Sequence, residues 1–280
     1  MLRLAAIEFL NAAPLMFGLE ADARFALSYT LPSACADALA SGSADLGVIP
    51  VIELARIPGL VGLGGLGVAS RASGTGEVRS ILLVCRCRAP EVSRLALDPA
   101  SRTSSALAQI LLRHWFGSRF SLAPGAADWR QSLEQADAVL LIGDPALRLR
   151  VGGQAEAAGY YVYDLAREWR QFTGLPFVFA LWGMRQPVFA AEQAWLPQRL
   201  ADAAEAGLRH RAALVATWAP RLQLDPAEVQ CYLAENVAYR LEAAHGEGLR
   251  RFFELAAADG LIASPQLPEL REPVRAAVPA

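Results

Sequence analysis

The apolar positions of the first 85 residues fall in short runs separated by turn residues. Residues 2–7 (LRLAAI), 24–29 (RFALSY) and 44–49 (ADLGVI) are expected as buried strands. PSACADALA, from Pro32 to Ala40, is expected as a short helix stopped by Ser41-Gly42. This strand–helix–strand rhythm predicts an α/β sheet with parallel pairs. Residues 59–76 hold seven glycines and little helical pattern, and are expected as a loop with strand fragments.

Further along, RSILLVCRC (79–87) is expected as another buried strand. SRTSSALAQILLRHWFG opens on hydroxyl residues, continues with helical apolar spacing and closes at Gly117. DAVLLIGDPAL (137–147) reads as a strand running into a tight turn. Asp164 is expected to cap the helix LAREWRQFT, which Gly174 ends, and FVFALWGM (177–184) is a strand again. From about residue 190 the pattern is helical. Asp225-Pro226-Ala227-Glu228 reads as a capping box that starts a helix to about Ala244. GEGLRRFFELAAADG is a last helix ended by Gly260, followed by a Pro-rich tail expected to dock loosely or fray.

The 280 residues suggest two domains or lobes. With 54% hydrophobic and 19% charged residues the chain is not intrinsically disordered. A net charge of −2 gives no basic field for nucleic acid, and no nucleic-acid partner is expected. All 26 basic residues are arginine. Without lysine, Schiff-base chemistry and a Walker-type phosphate lysine are excluded. Cys35, Cys85, Cys87 and Cys231 have no accompanying Cys/His cluster, so reduced thiols rather than a metal site are expected. Glu8 and Asn11 interrupt the first apolar run, and no segment is a membrane span. A cytoplasmic protein without membrane contact is the expectation.

Some positions invite chemistry. Asn11 follows the first strand, where its amide either faces a ligand crevice or forms an Asx turn. Thr103, Ser104 and Ser105 open a helix, whose free N–H groups and partial positive charge suit a carboxylate. Plain N-capping is the competing reading. Gly143 permits a tight turn and close backbone approach. Asp144 either caps the next turn or bonds a substrate hydroxyl. The backbone of Pro50–Ile52, including Val51, is a candidate cleft wall, whereas Glu53 is read as starting a helical turn. His114 is read as packing, and His210 and His245 as solvated.

Six segments together, FLNAAPLMFGLE (9–20), LASGSADLGVIPVIELAR (39–56), RSILLV (79–84), TSSALAQILL (103–112), LLIGDPAL (140–147) and YDLAREWRQFTGLPFVFALW (163–182), resemble the MqnA family. These are the chorismate dehydratases of the futalosine route to menaquinone. The resemblance implies a two-lobed α/β fold like periplasmic solute-binding proteins of type II, with a central ligand cleft. Lobe one would be 1–84 plus 182–280, and lobe two 85–181. It implies chorismate as the small-molecule substrate and no cofactor or metal. It implies catalytic roles for Asn11 and a cleft-facing Ser80, and a carboxylate held by the Thr103–Ser105 turn. An MqnD-type lyase of the same pathway is one alternative; the resemblance implies a histidine base at about the position of Gly143 in those enzymes, and its absence here argues against them. A non-catalytic carboxylate-binding protein on the same fold is the alternative from another class.

Overall fold

The computed structural model describes residues 1–126, 128–267 and 270–271. Among the described residues, twelve strands form two sheets. In chain order they are β1 (Leu2–Ile7), β2 (Phe25–Thr30), β3 (Leu46–Pro50), β4 (Leu60–Ser70), β5 (Ile81–Cys85) and β6 (Arg94–Ala96). There follow β7 (Ser121–Ala123), β8 (Ala138–Ile142), β9 (Tyr161–Asp164), β10 (Val178–Arg185), β11 (Val237–Arg240) and β12 (Leu270–Arg271). The larger sheet runs β11-β4-β10-β3-β1-β2, with β12 added beside β4; the smaller runs β7-β6-β8-β5-β9. β1 pairs in parallel with β2 and β3, as the early strand–helix rhythm implies.

Sheet membership changes twice along the chain. β4 ends in the larger sheet at Ser70 and β5 starts the smaller one at Ile81; β9 ends the smaller at Asp164 and β10 resumes the larger at Val178. The boundaries expected at 84/85 and 181/182 cut through β5 and β10, because their apolar runs give no sign of where one sheet stops. Asp164 ties the two crossings together. Its carboxylate accepts N–H bonds from Val78 and Arg79 on one crossing and from Ala166 and Arg167 at the helix it caps.

Two elements differ from the sequence expectation. The glycine-rich stretch is not a loop: β4 is an 11-residue strand flanked by β10, β11 and β12. Its glycines permit close approach; a Cβ at Gly67 would lie 2.5 Å from the Ala180 carbonyl oxygen. The helix expected from 225 to 244 is interrupted. Asp225 does cap it, accepting from Ala227 N–H, but the helix Pro226–Cys231 widens into a π turn, Tyr232–Asn236, and gives way to β11. Val237 and Tyr239 of β11 alternate inward, a period of two that helical spacing concealed. The last helix starts early, at Ala243, and Gly260 follows its end with φ +70°. Residues 268, 269 and 272–280 of the tail lie outside the described residues. No helix among the described residues is long and apolar enough to cross a membrane.

Candidate functional site

A cleft between the sheets is lined by Ile7 at the end of β1 and Phe9 and Asn11 just after it, Pro32 and Pro50, and Val68, Phe179 and Ala180 on the larger-sheet side. Ile81, Ile142, Gly143, Ser101 and Ser104 line it from the smaller-sheet side. The empty space counted out to the mouth is about 400 Å³, but only about 30 Å³ admits the centre of a water molecule. Since one water needs roughly 10–15 Å³ by that measure, the lobes are nearly shut.

Asn11 sits in the short 3₁₀ turn Leu10–Ala12 that follows β1. No side-chain hydrogen bond engages its amide among the described residues, so both donors and the acceptor are free for a ligand. Opposite it, Ser101 caps the helix Arg102–Ile110 and accepts from Ser104 N–H at 3.3 Å. The Ser101 hydroxyl donates to Ser104 Oγ at 2.8 Å. The Ser104 hydroxyl therefore keeps its own proton for an acceptor in the cleft. Helix-end charge and hydroxyl point the same way, toward an anion.

Gly143 lines the cleft with φ +66°, and a Cβ there would meet the Phe9 ring at 2.7 Å. A side chain here would require the Phe9 ring to move. Gly143 starts the helix Gly143–Gly152 directly, without the separate turn expected after β8.

Several sequence candidates lie away from the cleft surface. Ser80 is buried behind it, its hydroxyl accepting from Tyr232 Oη at 2.8 Å and its carbonyl accepting from Gly143 N–H at 2.8 Å. It directly precedes the wall residue Ile81 in the chain, with its hydroxyl engaged by Tyr232. Thr103 is likewise buried; its hydroxyl accepts from Ile52 N–H at 3.3 Å. The Ser105 hydroxyl turns outward to the Asp98 carbonyl. Val51 is fully buried with its N–H on the Phe179 carbonyl, so Pro50 takes the wall position expected of it. Asp144 does not reach the cleft either. Its Oδ1 accepts from Leu10 N–H at 3.0 Å, joining the two sides of the cleft. Burial pushes its carboxyl up to about 6, against the pull of that N–H bond.

The wall residues that the sequence did not single out are Phe9, Pro32, Phe179 and other apolar positions. An isolated apolar residue carries no signal of which cavity it meets. Ser101 was legible only as part of the helix opening. Glu53 does start a helical turn, Glu53–Arg56, and is buried against Arg56 and Arg102. The histidines serve elsewhere. Arg113 pairs with Asp259, and His114 Nε2 hydrogen-bonds the same carboxylate at 2.8 Å rather than serving only to pack. His210 is exposed and stacks on Phe17. His245, expected in solvent, is buried; Nδ1 accepts from Glu242 N–H and Nε2 bonds the Ser70 carbonyl, closing the first turn of the last helix. No group of three or more metal-ligating side chains occurs among the described residues.

Solved structures share the fold. A protein from Archaeoglobus fulgidus superposes with TM-score 0.73 at 16% identity, covering 93% of this chain and 98% of that one. The alkanesulfonate-binding protein of Xanthomonas axonopodis pv. citri, bound to MOPS, gives TM-score 0.66 at 19% identity over 97% and 98%. A Candida albicans protein described as having the generic periplasmic binding protein fold gives 0.64 at 11% identity over 97% and 96%. The architecture is that of periplasmic binding proteins. Sequence relatives are more specific. A chorismate dehydratase from Thermus thermophilus is 33% identical over 196 residues, 64% of this chain and 68% of the relative. One from Campylobacter jejuni is 27% identical over 157 residues, 56% of each. The sequence model for menaquinone biosynthesis matches residues 2–258, nearly the whole described chain, and with the Thermus match it shows that this protein belongs to the menaquinone-biosynthesis family.

Proposed function

We propose that this protein is a hydro-lyase that dehydrates chorismate to 3-[(1-carboxyvinyl)oxy]benzoate. The observation that carries the reading is the 33% identity to the Thermus chorismate dehydratase. The cleft supports it. Ser104 and the helix end behind it suit a substrate carboxylate, and the Asn11 amide suits the departing hydroxyl or a second carboxylate.

The chemistry asks little of the protein. The ring hydroxyl leaves with its electron pair, the neighbouring ring C–H bond supplies the electrons of a new ring double bond, and water and an aromatic product result. Aromatisation supplies the driving force. None of the side chains lining the cleft is an acid or a base. We therefore assign proton removal to the enolpyruvyl carboxylate of the substrate itself. The protein contributes orientation and a fixed field around the developing charges. Gly143 brings backbone and the Phe9 ring close to the ligand, and the apolar walls exclude water. We place the reaction in the cytoplasm, a reading that four unpaired cysteines fit.

The test is to mix purified protein with chorismate and follow products by mass. Loss of one water to an aromatic enol ether is expected. Unchanged chorismate with a raised melting temperature would mean a non-catalytic carboxylate-binding protein. Neither turnover nor a thermal shift would remove chorismate as the ligand.

A further inference from the structure

Arg102 occupies the first turn of the helix that presents Ser104 to the cleft, yet its guanidinium does not face the cleft. It reaches across to the other sheet's side. One nitrogen lies 2.9 Å from Glu53 Oε2, and another 2.7 Å from Asp37 Oδ1. Glu53 directly follows the Pro50–Ile52 wall and its side chain is only 4% exposed, so this arm works in a poorly solvated place. Two neutral bonds run alongside: Ile52 N–H to the Thr103 hydroxyl at 3.3 Å and Ser33 N–H to the Ala100 carbonyl at 3.1 Å. Every one of these contacts joins the segment 100–103 to the larger-sheet side.

We propose that Arg102 is a positioning residue that clasps the two lobes shut and thereby sets Ser104 at its working distance from Asn11. A guanidinium suits the task. It holds two carboxylates in fixed directions and does not lose its charge in the working pH range. The clasp sits beside the carboxylate-holding turn, so closure and ligand capture are one movement. Because the cleft as it stands admits little more than water, substrate must enter an opened form, and the free energy of closing is set partly by this clasp. The inference rests on the proposed dehydration for its kinetic consequence but not for its structural one.

The experiment pairs steady-state kinetics on chorismate with small-angle X-ray scattering of the ligand-free protein. Arg102→Gln is expected to raise KM about tenfold, the equivalent of one charged hydrogen bond of about 1.4 kcal/mol, while kcat changes far less. Its radius of gyration should exceed that of the parent protein. The variant leaves Glu53 bonded to Arg56 at 2.9 Å, so no buried carboxylate is stranded. Asp37→Asn, at an exposed site, should give a smaller change in the same direction. Arg102→Lys should recover part of the loss, since a single ammonium satisfies one carboxylate at a time. A lower melting temperature with KM and scattering unchanged would overturn the proposal and leave Arg102 a purely structural residue. If the parent protein shows no turnover, the dehydratase reading fails, and the scattering comparison alone then decides for or against the clasp.

Discussion

Gly143 shows how tightly individual residues define the cleft. Its φ of +66° costs an L side chain about 1 kcal/mol, and the Phe9 ring in the path of a Cβ adds an overpacking cost of about 1–3 kcal/mol. Gly143→Ala is expected to lower stability by about 2–4 kcal/mol, measured by urea unfolding. An effect below about 0.5 kcal/mol would show that Phe9 moves aside freely. Asn11 makes the opposite case, a residue with nothing structural to hold. Asn11→Ala should leave the melting temperature nearly unchanged while kcat/KM for chorismate falls about 10²-fold; full activity would remove its role. Asp144 gives a pH signature. Its carboxyl titrates near 6 in the folded protein against an ordinary 3.8. Folding therefore retains a proton that the unfolded chain has released between about pH 4 and 6. The stability this group contributes is complete below pH 4 and is lost as pH rises through 6. Asp144→Asn should flatten that part of the stability curve in denaturation midpoints taken from pH 4 to 7, and an unaltered slope would assign it to other carboxyls.

At the level of elements, legibility follows how much of a segment's environment is local. β1, the helix Pro32–Ser41 and β3 were readable because strand runs, caps and turn residues agree with one another. The helix Arg102–Ile110 is readable from its hydroxyl opening, and Asn11, Ser104 and Gly143, which carry such local signals, line the cleft. β4 was not, because glycine normally weakens a strand, and here its meaning lies in neighbours on β10 that press against it. β11 was hidden behind a π turn that carries helical spacing past the end of the helix. Ser80 and Thr103 lie buried behind the cleft wall, because sequence does not say which side of a wall a hydroxyl occupies. The hydroxyl pair at the helix opening can be tested as a unit. Ser101→Ala removes the cap and the bond that orients Ser104, and is expected to cost about 1 kcal/mol of stability together with a rise in KM. A cap acting alone would move stability without KM.

On the scale of the whole molecule, the two lobes are drawn together at separate points around the cleft: Asp144 on Leu10, Thr103 on Ile52, and Arg113 and His114 on Asp259. Distributed contacts of this kind favour a molecule that opens by movement between lobes rather than by loosening within either one. The interleaving of the chain has a further consequence, for the order in which the protein is made. β4 has no strand partner upstream of itself; β10, β11 and β12 all emerge later. The smaller sheet, by contrast, draws every strand from residues 81–164. During synthesis the second lobe can complete its sheet while the first waits with a long apolar strand unpaired, a state prone to wrong pairing. Ribosome-stalled chains long enough for Thr173 to have left the exit tunnel while β10 is still inside it are expected to resist protease across 81–164 and to be cut within 60–70, with protection of the latter appearing only once β10 has emerged. Early protection of 60–70 would mean that the nascent chain shelters β4 in a pairing it later gives up. In a cell, β4 is thus the segment that a chaperone acting on the growing chain would most usefully cover.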